Sequence, residues 1–135
     1  MSFARGSAAL LLSALPLLPA VPAVAGDWRI SDQCGARTYE RRILFMPDRT
    51  FAAADAVDPC PKEATCAWPG VVTWKGRYVL KTDRVELKPD RVPGGVGRRV
   101  GSALLVPLPA SLDRDPATGA LSERAADETV CLYRS

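Results

Sequence analysis

The sequence predicts an all-β domain: a single antiparallel meander of seven to eight short strands, forming a small disulfide-stapled barrel or half-barrel. Three observations lead there. Residues 43–51 and 74–88 each read as two alternating strands around a tight turn. Four cysteines follow an apolar leader in a chain of 135 residues that has no histidine. No amphipathic helical pattern is present from residue 26 onward.

The chain opens with a leader. Arg5 supplies a short positive region, residues 8–20 are apolar, and Ala23, Val24 and Ala25 form an A-x-A cleavage pattern. Pro16, Pro19 and Pro22 argue against a stable spanning helix. We therefore expect residues 1–25 to be a signal peptide and residues 26–135 to form one domain. Gly26 rather than a cysteine follows the expected cut, which argues against a lipid-anchored product. No second long apolar run follows, so no membrane span is expected.

Trp28 and Ile30 begin the first strand, which stops at Ser31, Asp32 and Gln33. Strand character resumes over residues 38–46, where Arg41 and Arg42 are placed on the solvent side. Pro47, Asp48 and Arg49 form a turn, because proline presets φ and aspartate caps it. A three-residue loop sets Phe45 opposite Phe51 and Ile43 opposite Ala53. Leu44 and Met46 are the alternative face. Arg49 is the odd choice, since the last position of such a loop favours a residue that tolerates positive φ.

Residues 55–69 read as a loop, with two cysteines and three prolines. Residues 71–75 are strand-like, and Gly76 marks a bulge or bend. A two-residue turn at Thr82 and Asp83 pairs Lys81 with Arg84, Leu80 with Val85, Val79 with Glu86, and Tyr78 with Leu87. That register puts Tyr78, Leu80, Val85 and Leu87 on one face, and a shift by one residue would scramble it. Residues 89–101, with four glycines, read as a mobile loop, and residues 102–108 as an edge strand. Pro116 and Gly119 mark a hairpin turn between strands near Leu112 and Leu121. Residues 129–134 form the closing strand, with either Val130 and Leu132 or Cys131 and Tyr133 facing inward.

An even cysteine count behind a leader points to two disulfides rather than zinc, for which the spacing is awkward. Three pairings are possible. Cys60 and Cys66 can reach each other locally, which leaves Cys34 to join Cys131 and clamp the ends of the domain.

Residues 45–51 and 74–87 carry a family likeness. FMPDRTF followed by W-x-G-x-Y-x-L-x-x-x-x-V-x-L resembles the hairpin motifs of small lipocalin-like and META-type bacterial envelope proteins. Phe45, Asp48, Thr50 and Phe51 match the first motif, and Gly76, Tyr78, Leu80, Val85 and Leu87 the second. Arg49 stands where the family has glycine. The resemblance implies barrel architecture and export, and it assigns no functional residue.

Function is the least legible part. Without histidine, the Ser-His-Asp and Cys-His arrangements are absent. The carboxylate pairs Asp113 with Asp115 and Asp127 with Glu128 lie in polar turns and read as solvated surface. No metal or other cofactor is expected, and no enzyme. Removing the leader leaves 17 basic residues against 15 acidic, too even a balance to imply nucleic acid or an anionic membrane. The expected role is a non-catalytic periplasmic or secreted binding domain, whose partner is an envelope or extracellular protein or a small apolar ligand. The alternative is an inhibitor of a secreted hydrolase, carried on the loop of residues 61–69. The candidate binding residues are Trp68, beside the cysteine loop, and Arg98 and Arg99 in the glycine loop.

Overall fold

A computed structural model describes residues 24–30, 33–57, 70–100 and 103–135. Cys60, Cys66 and Trp68 lie outside the described residues, as do residues 1–23. Eight strands form one antiparallel meander. In chain order they are β1 (Gly26–Ile30), β2 (Arg41–Phe45), β3 (Thr50–Ala56), β4 (Val71–Leu80), β5 (Arg84–Pro89), β8 (Ser111–Arg114), β9 (Leu121–Arg124) and β10 (Val130–Leu132). Two further strands, β6 (Arg99–Val100) and β7 (Ala103–Leu104), make a separate small ribbon.

The sheet curls until its first and last strands meet. Arg29 and Arg134 exchange backbone hydrogen bonds of 2.7 and 2.8 Å, which nearly closes a barrel. The Cys34–Cys131 disulfide, with its Cα atoms 6.0 Å apart, crosses the same seam. The expected long-range pairing therefore stands, joining residues 97 apart in sequence. A small barrel has room only for side chains, and here Ile43, Phe45, Phe51, Val85, Leu112 and Leu121 fill the interior.

Both expected hairpin registers are observed. Phe45 lies opposite Phe51 and Ile43 opposite Ala53, so Leu44 belongs to the outer face. Tyr78 pairs with Leu87 and Leu80 with Val85, and the Lys81 N–H donates to the Arg84 carbonyl at 2.8 Å. Gly76 is required by close approach. A Cβ there would lie 2.2 Å from the Lys88 carbonyl oxygen, so the backbones of β4 and β5 pinch together. On β10 it is Cys131 and Tyr133 that turn inward, leaving Leu132 68% exposed.

Arg49 accepts the strained position that the turn demands, with φ 72°. Its N–H donates to the Met46 carbonyl, the Met46 N–H donates to the Thr50 carbonyl, and Asp48 accepts from the Thr50 N–H. The same turn recurs between β9 and β10. Glu128 has φ 73°, bonds to Ala125, and is flanked by Asp127 accepting from Thr129. Two Asp-x-Thr turns thus fix two hairpins, each with a non-glycine residue in the left-handed region.

Several expectations are corrected. Asp55 ends no strand: β3 runs on to Ala56, because its alanines fit the ladder between β2 and β4. Among the described residues of the expected edge strand at 102–108, only Ala103 and Leu104 are in a strand. The glycine segment is tied down: Gly97 N–H donates to Leu105 O and Leu105 N–H to Arg98 O, both at 2.8 Å. Before β1, Val24 is 2% exposed and its carbonyl accepts from the Trp28 indole N–H at 2.9 Å. The expected cleavage after Ala25 would remove this contact.

Candidate functional site

The meander gives the barrel two unlike ends. At one end β2–β3, β4–β5 and β8–β9 are joined by tight turns. At the other, β9 and β10 are again joined by a tight turn, but the remaining connections are longer, including a strap at residues 103–109. Strand alternation carries inward-facing positions into that strapped end, and there they are charged.

Arg41 shares its face with Ile43 and Phe45, so it points into the barrel, and its side chain is 0% exposed. The solvent-side placement expected for it is wrong, whereas Arg42 is exposed as expected. Arg41 grips Asp55 with two parallel bonds, Nε to Oδ1 at 2.8 Å and Nη2 to Oδ2 at 3.2 Å. This fork-on-carboxylate geometry is the strong form of the pair. Its Nη1 donates to Glu123 Oε1 at 3.0 Å, and Nη2 also donates to the Val106 carbonyl at 2.8 Å. Asp55 also accepts from the Trp74 indole N–H at 3.1 Å.

Glu123, from β9, is shared three ways. Arg37 Nε approaches Oε2 at 3.3 Å, and the Tyr133 hydroxyl donates to Oε1 at 3.0 Å. Arg37 is held beside the disulfide, since it and Cys34 exchange backbone bonds of 2.8 and 3.0 Å. A second Arg37 nitrogen donates to the Tyr39 carbonyl, and Nη2 has no hydrogen-bond partner among the described residues. Two buried cations thus face two buried anions. Burial opposes the Arg41 charge, but the Asp55 hydrogen bonds and the Asp55 and Glu123 charges raise its pKa above the ordinary value. Burial, then the Glu123 charge, hold the Tyr133 hydroxyl well above its usual 10.0.

The strap completes this layer. Val106 N–H donates to the Tyr39 hydroxyl at 2.8 Å, and that hydroxyl donates back to Val106 O at 3.3 Å. Tyr39, Val57, Ala103 and Leu105 form a small apolar cluster above the charges. Val96 packs against both this cluster and the main core. Apart from Arg37 Nη2, the side-chain groups of this layer bond to one another or to the strap, so together they tie that end of the barrel to residues 103–109.

Of the candidate binding residues, Arg98 and Arg99 lie exposed on the ribbon that carries the strap. Trp68 falls outside the described residues. Among the described residues, Asp127 and Asp48 serve as turn caps, and hydrogen bonds from Thr129 and Thr50 lower their pKa values. Comparison of the chain with protein-family models, with curated proteins and with solved structures finds no match in any of the three.

Proposed function

We propose that this chain is a non-catalytic, exported binding domain that presents its strapped end to another protein. The observation that carries the reading is the filled barrel. With Ile43, Val85, Leu112 and Leu121 at 0% exposure, the interior offers a ligand no room, so recognition moves to the surface. A rigid barrel with loops at one end is a common way to hold a recognition surface. Arg98 and Arg99 are well suited to it, because arginine forms planar, bidentate bonds with carboxylates. Export is supported by the leader pattern and by the disulfide, which persists in oxidising compartments. Against catalysis stand the lack of histidine and the full engagement of the buried carboxylates by arginine, tryptophan and tyrosine.

Native mass spectrometry of the protein isolated from its own cell envelope tests this. A bound protein that is lost on Arg98→Glu, with the melting temperature unchanged, is the expected result. A retained small molecule inside the barrel, or a partner indifferent to Arg98→Glu, would overturn it.

A further inference from the structure

We propose that the outer face of β3, β4 and β5 is a second docking surface, for an anionic lipid. The phosphate headgroup would sit among Lys75, Arg77 and Lys88, and the acyl chain along the furrow beside them. This goes beyond the protein-binding role and uses different elements, so either can fail alone.

The first observation is a cross-strand pair of like charges. Arg77 and Lys88 are direct cross-strand neighbours, both exposed, and neither makes an ion pair among the described residues. Like charges set opposite each other in a ladder are destabilising. The pinch at Gly76 makes this worse by drawing the two strands together between Lys75, Arg77 and Lys88. The nearby acids are committed or offset. Glu86 and Asp83 pair with Arg84, Asp48 caps Thr50 while its charge also draws on Arg77, and Asp90, whose N–H donates to the Lys75 carbonyl at 2.8 Å, offsets part of the Lys75 charge but makes no ion pair with it among the described residues. Residues 71–91 hold six basic and three acidic residues, a surplus of three that equals the net charge of the whole chain. An even average therefore conceals one basic patch.

The second observation is the apolar furrow alongside. Ala52 and Ala54 form its floor, Leu44 and Thr73 its walls, and Lys75 one rim, enclosing about 460 Å³. Arg42 stands on the opposite rim but is already neutralised by a two-bond pair with Asp27. Both flanking ladders are fully paired, so a partner's backbone cannot add a strand here. A phosphate brings more than one charge and several acceptor oxygens, which suits three cations sharing one sheet face better than a single protein carboxylate. An amphiphile alone satisfies furrow and patch together.

The test is flotation of residues 26–135 with vesicles of phosphatidylcholine, either pure or doped with phosphatidic acid. Binding is expected only to the doped vesicles. Lys88→Glu should weaken it on the order of 30-fold, since about one surface cation is lost and one anion gained. The same variant should melt at an equal or higher temperature, because the clash with Arg77 is relieved. Lys75→Glu serves as a second reporter should Lys88→Glu fail to fold. Ala54→Gln, which fills the furrow without adding charge, should weaken binding several-fold. Equal binding to both vesicles, undiminished binding by the charge variants, or indifference to Ala54→Gln would overturn the proposal. So would complete displacement by inorganic phosphate, which would mark a free-anion site instead.

Discussion

The two ends of this barrel are closed by different physics. At the turn end, hydrogen bonds within short loops join the strands, and buried Arg114 donates from Nη1 to the Thr82 carbonyl at 3.2 Å. At the strapped end, Arg37, Arg41, Asp55 and Glu123 are buried together and joined through Val106 to a segment with little secondary structure of its own. Buried ion pairs cost heavily in desolvation and repay it only with good geometry and complete hydrogen bonding. Turn closure is local and tolerant, whereas seal closure is non-local and fails as a unit.

The largest test of that difference is the disulfide. Replacing Cys34 and Cys131 with serine frees a loop of about a hundred residues, which costs about 4 to 5 kcal/mol in the chain-entropy model. Equilibrium denaturation of that double variant should show the loss. An unchanged midpoint would mean that the strands alone hold the seam. Next in size, Arg41→Met leaves Asp55 and Glu123 buried without their shared cation. It should destabilise the protein by about 3 to 5 kcal/mol, whereas Arg42→Met, on the exposed neighbour, should change it by well under 1 kcal/mol.

The strapped end should also respond to alkali. The unfolded chain releases a tyrosine proton near pH 10, while the Tyr133 hydroxyl is held well above that value, and Tyr39 is raised as well. Stability is then full below pH 10 and declines as pH rises toward the folded values. Tyr133→Phe should flatten that decline in a denaturation series. It should also lower the plateau by about 1.5 to 3 kcal/mol, because Glu123 loses a donor.

The two Asp-x-Thr turns, one at each end, should answer far more mildly. Glu128→Gly relieves a left-handed φ and loses an exposed 3.1 Å ion pair to Arg124 worth a few tenths of a kcal/mol, so it should stabilise by about 1 kcal/mol. Arg49→Gly should gain less, because Arg49 stacks over the Tyr78 ring at 5.6 Å and that contact would be lost. Matching thermal melts of the two variants check the ranking.

These contrasts mark what the sequence could and could not reveal. Hairpin registers were legible, because turn residues and alternating apolar side chains agree at 43–53 and 78–87. The seal was hidden because charge was read as a sign of exposure. Period-two geometry pointed the other way: Arg41 shares its parity with Ile43 and Phe45, Asp55 with Phe51 and Ala53, and Glu123 with Leu121. Following parity past the last apolar residue would have placed all three inside. The strap could not be read at all, since its order comes from Tyr39 and Arg41, both more than sixty residues away. The basic patch escaped notice because net charge averages over both faces, and only the β4–β5 register sets Arg77 against Lys88.

Site-resolved amide hydrogen exchange on Asp55→Asn tests the two-ended account most directly. The substitution keeps shape and removes one charge from the seal. Protection should fall at the amides of Arg37, Leu105 and Val106 while those of Met46, Lys81 and Arg114 keep theirs, as local opening of a separate unit requires. A uniform loss across both ends, or no loss at the strap, would contradict the claim that buried charge pairing closes this end of the barrel.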